Sequence, residues 1–144
     1  IIRGICCLKP QVPGVSENIH VRSIVGRFLE HSRIYYFHHN GDENLFLSSA
    51  DMMTRNMIKR VEIEFPILDR AIKKEILSLM DVYLADNTKA RELHPDGTYR
   101  HVRNDKPAVD AQKYFMELAN KEKEIPILSE KDSWLKKIQR RFKK

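Results

Sequence analysis

The chain has 144 residues, 26 Lys/Arg against 20 Asp/Glu, and two cysteines. That is about one domain's length, with no apolar run near the roughly 20 residues of a membrane helix and no signal-peptide pattern. Cys6 and Cys7 are adjacent, too close to bridge each other, which excludes a disulfide framework and points to a reducing cytoplasm.

The formal charge of +6 is unevenly spread: residues 121–144 hold 9 Lys/Arg and 4 Asp/Glu, and residues 1–120 hold 17 and 16. The body is nearly neutral, so nucleic acid is not an expected partner there. An anion site must be built from a few placed residues.

The opening Ile-Ile-Arg-Gly, without an initiator Met, suggests a fragment of a larger chain. Residues 1–8 (IIRGICCL) predict a strand, 10–18 a Pro/Gly-rich loop, and 19–25 (IHVRSIV) an alternating strand. IYYF, in SRIYYFHH, continues as an apolar strand into Asn40-Gly41, a hairpin signal, and LFLSS returns. ADMMTRNMIKR (50–60) predicts a helix with Asp51 as cap. VEIEFPI (61–67) alternates, with Val61, Ile63 and Phe65 on one face and Glu62 and Glu64 on the other.

Residues 68–86 form the strongest helix pattern, with an Ile72, Ile76, Leu79, Tyr83 stripe and Asp69 at its start. Pro95-Asp96-Gly97 predicts a turn, and 107–120 a helix opened by Pro107. The tail from 121 repeats Trp134, Ile138 and Phe142 among basic residues, an amphipathic segment for packing on its own domain or docking on an acidic surface. Strands mixed with helices give an α/β or α+β class, with helices covering a mixed sheet.

No zinc spacing, Walker loop or dinucleotide turn occurs. The stretch LEHSRIYYF places His31 and Arg33 on one face of an extended chain. A hairpin turning at Asn40-Gly41 brings Ser48–Asp51 back beside them. Imidazole, guanidinium and hydroxyls then converge, a set suited to a phosphoryl group: Arg forks its oxygens and His exchanges protons near neutral pH.

This layout resembles a degenerate phospholipase D-type half-site, H-x-K then G-S-x-N, with Arg33 for the Lys and Ser48-Ser49-Ala50-Asp51 for G-S-x-N. IRGICCLKP, PGVSENIHVRSIVGRFLEHSRIYYF and LSSADMMTRNMIKRVEIEFPI together resemble the C-terminal catalytic, phospholipase D-like domain of bacterial polyphosphate kinase. The likeness runs over residues 2–120 and is dense to 67, with none identified in the tail 121–144.

The resemblance implies an α/β phospholipase D-like fold. It implies reversible transfer of the ATP γ-phosphate to polyphosphate through a phosphohistidine in a preceding domain. His31 then matches the second catalytic histidine, across the phosphate from the nucleophile. Arg3 matches a nucleotide-phosphate-binding arginine. Arg33, Ser49, Asp51, Arg55 and Asn56 are supporting candidates. ATP/ADP, Mg2+ with ligands outside this chain, the remaining domains and a homo-oligomer complete the expectation. The location expected is the cytoplasm, with peripheral membrane association as a further possibility. The alternatives are a phospholipase D-like phosphodiesterase or nuclease, or a non-catalytic polyanion-binding module.

Overall fold

The computed structural model describes residues 1–122. The chain divides into two units, Ile1–Ala111 and Gln112–Lys144. Among the described residues the elements run β1 (Arg22–Ile24), β2 (Ile34–His39), β3 (Asp42–Ser48), α1 (Thr54–Lys59), β4 (Glu64–Pro66), α2 (Arg70–Ala85), β5 (Ala90–Leu93), β6 (Tyr99–His101) and α3 (Ala111–Glu122). The strands form two three-stranded antiparallel sheets, β1-β5-β6 and β2-β3-β4. The α/β class expected from the sequence holds, with two antiparallel sheets in place of one mixed sheet. The tail's Trp134, Ile138 and Phe142 lie outside the described residues.

The β2–β3 hairpin follows directly from Asn40-Gly41. Both residues have positive φ, 47° and 88°, the two-residue turn whose twist matches that of antiparallel strands. Closing there pairs His39 with Asp42 and, five steps on, Ile34 with Leu47. Leu45, 1% exposed, sits mid-hairpin, and burying such a side chain contributes about 1.5–3 kcal/mol. On the opposite face Phe37 and Phe46 meet edge-on at 6.2 Å.

Several predicted elements are shorter than their sequence patterns. Residues 1–8 form no strand: Ile2 N–H donates to Arg22 O at 2.7 Å, but Gly4 turns to φ 139° and no ladder develops. The 19–25 strand contracts to Arg22–Ile24. In 61–67 only Glu64–Pro66 pair with β3, because β3 ends at Ser48. Val61 is fully exposed and Ile63 65% exposed, so the expected inward face does not form. Pro66 is tolerated because β4 is an edge strand of its sheet.

α1 begins at Thr54 with Met53, not Asp51, at its N-cap. α3 begins at Ala111, four residues after Pro107.

α2 is the strut of the first unit. Asp69 caps it, accepting from Ala71 and Ile72 N–H at 2.8 and 3.0 Å, a contribution of about 0.5–2 kcal/mol. Lys73 Nζ donates to Glu43 O of β3 at 2.8 Å, and Arg22 Nη1 of β1 donates to Leu84 O at 2.7 Å. The helix is thus pinned to both sheets. At its end the fully buried Asp86 accepts from Thr88, Lys89 and Ala90 N–H through Oδ1 and from Ala111 N–H through Oδ2. This satisfies the buried carboxylate and fixes the entry to β5.

In Gly41→Ala, a Cβ meets no atom within 4 Å, so the cost is conformational alone. We expect destabilisation of about 1–2 kcal/mol in urea unfolding; an unchanged midpoint would show that this turn does not set the register.

Candidate functional site

Residues 25–33 form neither helix nor strand, so side-chain contacts place His31. Arg33 is the centre of these contacts. Its Nε donates to Asp51 Oδ1 at 2.8 Å. Its Nη1 donates to His31 O at 3.1 Å and lies 3.2 Å from His31 Nδ1, while Nη2 lies 3.4 Å from Nε2. A guanidinium only donates, so the ring nitrogen that pairs with it accepts. The result is a chain Asp51–Arg33–His31, in which the carboxylate orients the guanidinium and the guanidinium orients the ring.

The hairpin register brings these groups together. Ser48 N–H donates to Arg33 O at 3.1 Å, so the end of β3 lies against Arg33. Tyr35 OH donates to Ala50 O at 3.0 Å, and Ala50 N–H donates to Ser48 Oγ at 3.0 Å, which holds the turn that carries Asp51. The expectation that Ser48–Asp51 return beside His31–Arg33 is met in position. Two expectations about chemistry change. Asp51 pairs with Arg33 and is not a helix cap. The Arg33 fork is turned towards His31 and Asp51, and so is already engaged within the chain.

Ser49 and Asn56 belong to a neighbouring cluster around Glu62, a residue that the alternating pattern had placed on a solvent-facing strand side. Ser49 Oγ donates to Glu62 Oε2, and Asn56 Nδ2 donates to Oε1 at 2.8 Å. Ser49 Oγ also accepts from Ile63 N–H at 3.0 Å. Asn56 is 2% exposed, and its Oδ1 has no hydrogen-bond donor among the described residues. The cluster closes the segment from β3 through α1 to β4. The signal that could have found Glu62 was the presence of two polar side chains, Ser49 ahead of α1 and Asn56 within it, that the short helix itself does not satisfy.

Arg55 is exposed on α1, and its charge acts on Asp51. Arg3 is set apart. It follows Ile2, which bonds to β1 of the other sheet, and precedes the Gly4–Pro10 segment lining a cleft of about 500 Å³ with Leu93–Gly97 and Tyr99. The cleft beside His31 is about 490 Å³. Its polar end is His31, Arg33, Ser48 and Ser49, and its apolar wall includes Ile34, Leu47, Ile63, Phe65, Ile76 and Leu79. Of these two clefts, among the described residues, the second brings an imidazole and a guanidinium together, and the first is lined by His94 without an arginine.

The Arg33 hydrogen bond holds the Asp51 carboxyl below its ordinary range, and the bonds from Ser49 and Asn56 do the same for Glu62. Arg33 is correspondingly pushed up, chiefly by Asp51. With depressed folded values, both carboxylates contribute stability that is present above their unfolded values. That contribution is lost as pH falls through the folded ones. Carboxyl-carbon NMR titration is expected to give midpoints below 3.8 for Asp51 and 4.5 for Glu62. Arg33→Met should return Asp51 upward while leaving Glu62 low. A midpoint for Asp51 at or above its ordinary value in the unaltered chain would contradict the pairing.

The sequence matches the family profile of polyphosphate kinase C-terminal domain 2 over residues 1–112. A polyphosphate kinase of Staphylococcus haemolyticus is 51% identical over 156 residues, covering 100% of this chain and 22% of its own length. One of Bacillus cereus is 64% identical over 104 residues, covering 72% of this chain and 15% of its own. The crystal structure of polyphosphate kinase from Porphyromonas gingivalis superposes with a TM-score of 0.76 at 41% identity, over 83% of this chain and 19% of that one. The chain therefore spans about a fifth of the length of such relatives. The staphylococcal match also includes residues 121–144, where the sequence alone had suggested no likeness. These relatives do not favour the phosphodiesterase or polyanion-module alternatives. The chain belongs to the polyphosphate kinase C-terminal domain 2 family, and it has the α/β fold of the corresponding part of a polyphosphate kinase.

Proposed function

We propose that this chain is one half of a phosphotransfer site. The full-length enzyme reversibly moves the γ-phosphate of ATP to polyphosphate through a phosphohistidine in a preceding domain. The observation that carries this reading is the Asp51–Arg33–His31 chain, which presents an oriented imidazole at the mouth of a cleft. In the forward direction the outside histidine forms a P–N bond as the β–γ P–O bond breaks and ADP leaves. The terminal polyphosphate oxygen then takes the phosphoryl group and the P–N bond breaks. His31 lies across the phosphate, giving or taking a proton and stabilising charge on the transferred oxygens. Arg33 orients His31. Arg3 contacts the nucleotide phosphates from the other sheet's side, completing its contacts in the intact enzyme.

Mg2+ enters this reading with the nucleotide, as part of the substrate. Among the described residues no group of three or more His, Cys, Asp or Glu is placed to hold a metal. Asp51 and Glu62 are engaged by Arg33, Ser49 and Asn56, so no step here runs through the ion. The intact enzyme in this reading is a cytoplasmic homo-oligomer. No helix among the described residues is long and apolar enough to cross a membrane.

In the full-length enzyme, His31→Ala and Arg3→Ala should each lower turnover by about 10²–10³-fold with unfolding midpoints preserved. Wild-type turnover in either variant would remove that residue from the site. The 144-residue chain alone, folded by circular dichroism, should make no polyphosphate from ATP. Synthesis by this piece would contradict the half-site reading.

A further inference from the structure

We propose that Tyr83 is a positioning residue for His31, acting through Glu30. The inference rests on the reading of His31 given above and extends it to α2.

The segment carrying His31 needs external support. Between the end of β1 at Ile24 and the start of β2 at Ile34 the backbone joins no ladder. At its start Val25 N–H reaches Lys89 O at 3.5 Å, and at its end Arg33 O accepts from Ser48 N–H. Arg33 fixes His31 from the C-terminal side. The residue on the N-terminal side is Glu30, whose Oε2 accepts from Tyr83 OH at 2.7 Å across 53 residues of sequence.

Tyr83 is well placed to act as a reference point. It continues the α2 stripe beyond Ile76 and Leu79, both of which line the cleft beside His31, at the i+3/i+4 spacing that keeps side chains on one face. The helix is pinned to β3 through Lys73 and to β1 through Arg22, so the phenol is held relative to both sheets. Tyr83 and Glu30 are half-buried, and burial together with the carboxylate pushes the phenol well up, keeping it a donor. A short bond from a rigid helix to the residue adjoining His31 sets where the ring lies. A displacement of about 1 Å at a reacting group can cost up to about a hundredfold in rate.

The test is steady-state kinetics on the full-length enzyme, with unfolding midpoints measured on the same variants. Tyr83→Phe removes only the hydroxyl. It is expected to lower kcat by about ten- to a hundredfold, with KM for ATP within about twofold and the protein folded. Glu30→Ala should behave likewise, whereas Glu30→Gln keeps an oxygen acceptor for the phenol and should restore most of the loss. A purely structural tether would lower the unfolding midpoint and leave kcat per folded enzyme unchanged, which would overturn the proposal. So would wild-type kcat in Tyr83→Phe while His31→Ala is inactive. If His31→Ala itself turns over normally, the reading of His31 fails first, and the positioning role falls with it.

Discussion

The register of the β2–β3 hairpin is the constraint on which the rest depends. A two-residue turn at Asn40-Gly41 leaves one way to pair the strands that buries Leu45. That pairing delivers Ser48 to the backbone of Arg33 and carries Asp51 within 2.8 Å of its guanidinium. A slip of one residue would turn Leu45 outward and move Asp51 off Arg33. The same covalent accident of two residues able to adopt positive φ therefore sets both the core of this sheet and the orientation of His31.

Around that hairpin some segments are held by ladders and helices and others by side-chain bonds. α2 ties the two sheets together and walls the cleft with Ile76 and Leu79. The loop with His31 has no ladder of its own and takes its position from side chains on neighbouring elements. Ser49, Asn56 and Glu62 close the adjoining segment without contributing an open donor set. The apolar wall below the polar mouth, with Ile63 65% and Phe65 48% exposed, is more hydrophobic than a phosphate alone would require. A surface of this kind agrees with a chain that spans about a fifth of its relatives' length.

Where sequence patterns were local, they carried over into structure. The Asn-Gly turn, the Asp69 cap, the long helix and the Pro-Asp-Gly turn depend on neighbours a few residues away, and each was legible. The strands at 19–25 and 61–67 were overextended because an alternating pattern cannot show where a partner strand stops, and the apolar run at 1–8 forms no strand. β3 ends at Ser48, so beyond Glu64 the contact narrows to the single backbone bond from Ser49 N–H to Ile63 O, and Val61 lies outside the ladder. In the site, the meeting of His31, Arg33 and Asp51 was readable because one hairpin joins them. Asp51 was read as a cap because it stands ahead of a helix, where capping is the commoner use of that residue; its pairing with Arg33 was not legible. Glu62 and the Glu30–Tyr83 bond were not legible, since each depends on packing between segments far apart in sequence.

The central claim is that His31 assists transfer to a histidine that lies elsewhere in the enzyme. Rapid-quench labelling of the full-length enzyme with γ-labelled ATP, followed by peptide mapping, tests it most directly. The label should appear on a histidine outside these 144 residues, and His31→Ala should slow its appearance by about 10²–10³-fold. Label on His31 itself, or phosphoenzyme formed at the wild-type rate without it, would contradict the account.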